Sequence, residues 1–278
     1  MDPWINPDRV LGCLKIEQQD YVGALHLLEA NAEPLTRELD DGWARFVTAT
    51  SLGIAYMTTG RHDLADKWFR KRHEADLEIG GGNHPYAAFD YFWIAQNLMM
   101  ARRFAEARAT LASAPTFEPL RGETEGNPDR YARYLIWESA RLDIETGQGA
   151  AALETLRRGA LGEKEMLADR ITYATLVGEA LCTSGRPREG LPILRQRITL
   201  EEEHKDAIEE PEIGGAPEIA RVRAVAGLCS LDIGDSKAAD VFATESEQAF
   251  SGMLGVAPYY STPLGVLRAR LAEQFRRG

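Results

Sequence analysis

The chain has 278 residues, 43 of them acidic and 32 of them Lys or Arg, for a formal net charge of −11. An apolar fraction of 44% with 27% charged residues describes a folded globular protein and not a disordered one. The acidic balance argues against a dedicated nucleic-acid binder, which needs a basic face to neutralise phosphate. No run of 18 apolar residues occurs, so no membrane span is expected. Met1 to Pro7 has no basic region followed by an apolar block, so no secretory leader is expected. The three cysteines, Cys13, Cys182 and Cys229, are odd in number and far apart, which reads as reduced thiols in a cytoplasmic protein.

A ladder of residues recurs along the whole chain. A small residue is followed twelve positions later by another, and four positions after that by a larger apolar one. The copies in chain order are Gly12, Ala24 and Leu28; Gly53, Ala65 and Phe69; Ala95, Ala107 and Leu111; Ala140, Ala152 and Leu156; Gly178, Gly190 and Leu194; and Gly227, Ala239 and Ala243, where the large residue is lost. Two antiparallel helices joined by a tight turn must approach closely where they cross. A small residue on each helix permits that approach, and a large one a turn later fills the space beside it. Turn residues between the helices read as Asp20, Gly60, Gly147, Gly185 and Gly234, while the third copy departs from the pattern with Ala101-Arg102-Arg103.

Successive copies begin 41, 42, 45, 38 and 49 residues apart. Constant spacing within a copy and variable spacing between copies means rigid hairpins joined by adjustable loops. Gly80 to Pro85, Pro115 to Pro128 and Glu209 to Pro217 read as those loops. The expected fold is all-helical, with no sheet and about 13 helices. It is a right-handed superhelical solenoid of about six helix-turn-helix repeats in a single domain spanning 1–278, with hairpins centred near 20, 60, 102, 147, 185 and 234. A capping helix at 262–276 closes it, with Leu264, Leu267, Leu271 and Phe275 on one face and Arg268, Arg270, Arg276 and Arg277 on a solvated face.

The small residues at the crossing, the alanine of the second helix and the large residue after it resemble the tetratricopeptide (TPR) family, with Leu52, Gly53, Tyr56, Ala65 and Phe69 fitting best. The units exceed the usual repeat of 34 residues. They are similar to the longer repeats of kinesin light chains and bacterial signalling proteins, and Gly82-Asn83-His84-Pro85-Tyr86 looks like the linker of that longer type. The resemblance implies a peptide- or protein-binding scaffold that uses the concave face lined by first helices. It also implies, as alternatives, a peptide-sensing regulator or the regulatory segment of a larger bacterial signalling protein.

Signatures of chemistry are weak. His26, His62, His73, His84 and His204 lack metal-ligand spacing, and no Walker, Gly-x-Ser-x-Gly or His-Glu-x-x-His motif is present. No enzyme activity, cofactor or metal is therefore expected. A helical enzyme would need a cluster on the concave face, where Glu17, Glu145, Glu179 and Asp232 stand scattered over four copies.

Counting groove positions from each crossing residue gives the expected ligand site: Arg9, Phe89, Phe92, Gln96, Met99, Tyr134, Trp137, Arg141 and Arg221. Tyr86, Phe89, Tyr91, Phe92 and Trp93 put five aromatics into eight residues, and Tyr131, Tyr134 and Trp137 follow on the next first helix. Such rings serve either as packing between repeats or as an aromatic groove; Trp93 and Tyr91 are assigned to the core. Arg9, Arg141, Arg221 and Gln96 offer donors for a peptide carboxylate or backbone. Seven acids against one lysine in Glu201 to Glu212 make a solvated helix end or a docking point for a basic partner. A second copy of the chain is a further possible partner.

Overall fold

The computed structural model describes residues 11–12, 14–16, 20–38, 42–80, 87–115, 128–161, 166–204, 215–253 and 255–277. Among them there is helix and no strand. After a helical stretch within 11–16 come α1 (Tyr21–Glu38), α2 (Gly42–Thr58), α3 (His62–Gly80), α4 (Ala87–Met100), α5 (Phe104–Ser113), α6 (Pro128–Glu145), α7 (Gly149–Arg158), α8 (Leu167–Thr183), α9 (Pro187–His204), α10 (Ala216–Asp232), α11 (Ser236–Ser251) and α12 (Pro258–Arg277). The architecture is all-α and built from helix-turn-helix repeats. The chain divides into two compact units, Met1–Glu138 and Ser139–Gly278. The crossing residues of the first three hairpins fall in the first unit, and those of the last three, with the closing helix, fall in the second.

The second to sixth hairpins close in the same way. The residue seven positions after the crossing residue adopts a left-handed backbone: Gly60 (φ 77°), Gly147 (76°), Gly185 (78°) and Gly234 (85°). In the third copy, which breaks the sequence pattern, Arg102 takes the same conformation (φ 60°). Two backbone hydrogen bonds seal each turn. In the second hairpin Gly60 N donates to Met57 O (3.0 Å) and Arg61 N to Tyr56 O (2.8 Å). In the third, Arg102 N donates to Met99 O and Arg103 N to Leu98 O, both at 2.8 Å. This is the Schellman ending, and the hydrogen bonds hold Arg102 in a conformation that glycine adopts without strain. Asp20 proves not to be the equivalent of these glycines. It stands one position later, where its carboxylate accepts from Gly23 N (2.9 Å) and caps α1, as Asp235 accepts from Ala238 N to cap α11.

The crossings are as tight as the ladder requires. A Cβ added to Gly12 would lie 2.7 Å from Leu28 Cγ, and one on Gly178 would lie 2.6 Å from Leu194 Cδ2. At Gly53 it would collide with the ring of Phe69. Ala24, Ala65, Ala152 and Ala239 are fully buried at the second-helix positions. The fifth hairpin has glycine on both helices, and a Cβ on Gly190 would lie 2.6 Å from the carbonyl oxygen of Gly178.

The sixth hairpin shows what becomes of the missing large residue. A Cβ on Gly227 would meet not its own second helix's residue 243 but Leu267 of α12. Leu267 and Leu271 are buried in one cluster with Leu231, Ala239 and Ala243. The closing helix thus supplies the side chain that the hairpin lacks. It begins at Pro258 and not at 262, with Pro263 inside it. Pro258 has the fixed φ that suits a helix start, and the Thr262 hydroxyl donates to the Pro258 carbonyl (2.8 Å). Two of its arginines are engaged, not merely solvated: Arg268 reaches Asp240 (2.6 Å) and Glu247 (2.5 Å), and Arg270 reaches Asp232 (2.6 Å).

Two hairpins share a second device that the ladder does not reveal. Thr50 donates to Phe46 O (2.8 Å) and accepts from Arg72 Nε (3.0 Å). Thr175 donates to Ile171 O (2.9 Å) and accepts from Arg197 Nε (2.9 Å). Each arginine comes three residues after the large residue of the ladder and is almost fully buried. Arg72 goes on to form an ion pair with the buried Asp90 at the start of the next first helix. A second-helix arginine therefore ties its own hairpin to the following one.

The three cysteines, far apart in sequence, are not all far apart in space. Cys182 and Cys229, 47 residues apart in sequence, lie with Cα atoms 5.7 Å apart and are joined as a disulfide. Stacking of consecutive hairpins places their first helices, α8 and α10, side by side. Cys13 lies outside the described residues.

Gly53→Ala forces a methyl group against the Phe69 ring and will destabilise the protein by about 1–3 kcal/mol, although alanine is the better helix former by about 1 kcal/mol. Leu267→Ala will cost about 2–5 kcal/mol by opening a cavity above Gly227. Urea unfolding midpoints check both, and an unchanged midpoint for Gly53→Ala would refute the crossing geometry.

Candidate functional site

The expected site residues fall into two separate environments, one in each unit. In the first unit the rings of α4 and α6 form a continuous chain. Phe69 stacks on Trp93 (centroids 5.7 Å apart), Trp93 meets Phe92 edge-on (5.0 Å), and Phe92 lies 5.8 Å from Tyr134, which meets Trp137 (5.4 Å). Edge-to-face geometry matches the positive ring edge to the negative ring face. Phe92, Met99, Tyr134 and Trp137 are 1–5% exposed, so these rings pack between hairpins. Trp93 is buried as expected, whereas Tyr91 stays half-buried with its ring edge-on to His73.

Phe89 and Gln96 remain partly accessible beside this floor of rings. They are two helical turns apart on one face of α4. Phe89 rests on Phe92 (5.8 Å) and Tyr134 (5.1 Å). The Gln96 side-chain oxygen Oε1 is buried and accepts no hydrogen bond. Buried carbonyl-type oxygens normally have a partner, and this one has none.

In the second unit, three counted groove residues, Arg141, Glu145 and Glu179, gather around a fourth, Arg221. Arg221 donates to both oxygens of Glu218 (2.9 and 3.0 Å) and to Glu179, and lies 3.7 Å from Glu145. Arg141 donates to Glu218 (3.1 Å). Tyr259, from the first turn of α12, donates to Glu145 (3.0 Å), and the Arg221 guanidinium sits over its ring, 5.5 Å from the centroid. First helices α6, α8 and α10 and the closing helix are thereby joined at one point. Arg141 and Arg221, counted as donors for a ligand, have donors engaged by the protein's own carboxylates. Arg9 lies outside the described residues.

Three carboxylates surround two guanidiniums, and burial acts on each differently. Burial pushes the Glu179 carboxyl upward, and Arg221 only partly offsets this. Burial would also raise Glu218, but Arg221 and Arg141 together overcome it and hold that carboxyl far below the usual range. Burial opposes the charge on Arg221, yet Glu179 and Glu218 outweigh it, so the guanidinium binds its proton more tightly than usual. Burial pushes the Tyr259 phenol well above its ordinary value, keeping it a hydrogen-bond donor. Glu218 and Tyr259 escape the sequence count because Glu218 falls outside the five groove offsets and Tyr259 belongs to no repeat. No signal in the sequence links Tyr259 to Glu145.

The histidines hold no metal cluster; among the described residues, no group of three or more His, Cys, Asp and Glu could bind one. His73 Nδ1 lies 2.9 Å from Asp90 Oδ2, and burial lowers its pKa. His62 Nδ1 lies 2.9 Å from Asn97 Oδ1 and helps satisfy that buried amide. Of the acidic stretch, Glu201 to His204 continue α9, and Glu202 pairs with Arg223 (2.5 Å); residues 205–212 lie outside the described residues.

Among solved structures, the chain is similar to a Rap protein in complex with Competence and Sporulation Factor, with a TM-score of 0.61 and 12% identity over 96% of this chain and 75% of that one. This likeness and the hairpin geometry define the class of fold: a TPR-like helical-repeat protein. No protein-family model matches the sequence. No curated protein matches it either.

Removing the guanidinium in Arg221→Met takes the ion-pair partner from the buried Glu179 and one of two from Glu218, and will cost about 3–5 kcal/mol. Glu218→Gln will cost more than Glu179→Gln, because only Glu218 is held low by two arginines. The signs follow from linkage. The Glu218 contribution is complete above the unfolded carboxylate value of about 4.3 and fades as pH falls below it. Glu179 contributes with the opposite sign, weakening the fold as it ionises. Unfolding midpoints of both variants across acid pH check the ranking, and Trp137→Ala in the same assay will cost about 3–5 kcal/mol as a core truncation.

Proposed function

We propose that this protein is a non-catalytic binding scaffold that holds a peptide or protein segment along its first-helix face, centred on Phe89 and Gln96. The observation that carries this reading is the partly accessible Gln96, whose Oε1 has no donor, two helical turns along α4 from the partly accessible Phe89 ring. An extended peptide offers complements to both: a backbone N–H for the Gln96 amide once that side chain turns outward, and an apolar side chain for Phe89. Phe92, Met99, Tyr134 and Trp137 act beneath them as a rigid floor and not as contacts. Rigid supports of this kind reduce the ordering cost of binding. The Rap protein of the same fold was solved with Competence and Sporulation Factor bound, which supports a ligand-holding role.

A second reading, a peptide-sensing regulator or a regulatory segment of a larger signalling protein, draws on the Arg221 network. It joins α6, α8, α10 and α12, so a change at one helix alters the contacts of the other three. In either reading the protein acts in the cytoplasm, through groups that bind and do not react, without cofactor or metal. No helix among the described residues is long and apolar enough to cross a membrane. Glu201 to Glu212 offers a basic partner an electrostatic approach, and a second copy is a further candidate partner.

Selection of a displayed random-peptide library on the full chain tests the site. Recovered peptides will lose at least about tenfold in affinity on Phe89→Ala and on Gln96→Ala, as expected for anchor positions. Both variants will keep wild-type unfolding midpoints to within about 1 kcal/mol, because neither side chain is fully buried. Peptides that bind both folded variants as tightly as the parent would place the site elsewhere.

A further inference from the structure

The disulfide between Cys182 and Cys229 belongs to the second unit and has no part in the reading centred on Phe89 and Gln96. Its Cα separation of 5.7 Å lies within the ordinary disulfide range. The two sulfurs differ in access. Cys229 is 1% exposed, in a cluster with Leu191, Leu194, Ile198, Val222 and Ala226. Cys182 is half-buried in the last turn of α8, packed against Gly190 so closely that a Cβ there would lie 2.7 Å from its sulfur. The same two helices are already joined by the buried Arg221–Glu179 ion pair. Small apolar surroundings accommodate two thiols as readily as a bridge, since a free cysteine behaves as a small hydrophobe. In a reducing compartment the pair rests as thiols.

We propose that Cys182 and Cys229 form a reversible redox clamp that sets how firmly the fifth and sixth hairpins are held together. The oxidant is a small disulfide of the glutathione class. The Cys182 thiolate, the more accessible of the two, attacks one sulfur of that disulfide and expels one glutathione thiolate. The Cys229 thiolate then attacks the Cys182 sulfur of the mixed disulfide and expels the second. Two protein thiols and one glutathione disulfide become one protein disulfide and two glutathione thiols, with the two protons passing to the departing thiolates or to solvent. The bridge closes a loop across a separation of 47 residues, which restricts the unfolded chain and ties α8 to α10.

The test uses the full chain equilibrated with glutathione disulfide or with dithiothreitol. After oxidation, peptide mapping by mass spectrometry will find residues 182 and 229 cross-linked. The oxidised form will unfold roughly 10 °C higher than the reduced form, and amide exchange in 167–183 and 216–232 will slow. Dithiothreitol will reverse all three changes. Cys13→Ser will retain the response, whereas Cys182→Ser and Cys229→Ala will each abolish it. The proposal is overturned if both thiols remain open to alkylation after oxidation. It is equally overturned if the cross-link forms and leaves the midpoint and the exchange rates as they are in the reduced protein.

Discussion

The close crossing of two helices at paired small residues is the constraint on which the rest of this structure depends. Where Gly53 faces Phe69, or Gly178 faces Leu194, no room remains for a β-carbon. That contact sets the separation and register of each hairpin, and everything stacked on the hairpin inherits both. The sixth copy shows that the constraint is on filled space and not on chain connectivity. When residue 243 is too small, Leu267 arrives from another helix and occupies the place. A closing helix here is therefore part of the last hairpin's core and not merely a cover for it.

Polar groups extend this packing between hairpins. Arg72 and Arg197 use the same spacing to grip a threonine of their own first helix, and Arg72 also reaches the next hairpin through Asp90. Buried guanidiniums with several partners are costly to desolvate, so they persist where the geometry satisfies most of their donors. The Arg221 centre carries the idea furthest, with Glu145, Glu179, Glu218 and Tyr259 drawn from four helices. It makes the meeting point of α6, α8, α10 and α12 in the second unit an ionic junction. In the first unit α4 and α6 bury most of their rings, with Phe89 and Gln96 partly accessible beside them.

This contrast bears on how such a protein works. Aromatic packing is rigid and indifferent to pH, which suits the support of a binding face. A charge cluster with one excess carboxylate responds to protons and to neighbouring charge. The bridge between Cys182 and Cys229 joins two of the same helices covalently. One face is thus built to stay in place, and the other is held by links that chemistry can alter.

The sequence by itself determined the all-helical class, the six hairpins and their crossings, because close approach admits only small residues and leaves a spacing of twelve that can be read directly. It also marked Phe89, Gln96, Arg141, Glu145, Glu179 and Arg221 as facing one way, since helical periodicity is local. It left open whether the rings of α4 and α6 formed groove or core, because a period of 3.6 gives a face without saying what covers it. Only the tertiary structure decided that Phe92, Tyr134 and Trp137 are covered, that Arg102 adopts a glycine-like turn, and that Arg141 and Arg221 already have partners. It alone brought Tyr259 to Glu145 across 114 residues and Cys182 to Cys229 across 47. Such contacts depend on how one repeat stacks on the next, and that stacking is a property of summed packing surfaces that no short stretch of sequence contains.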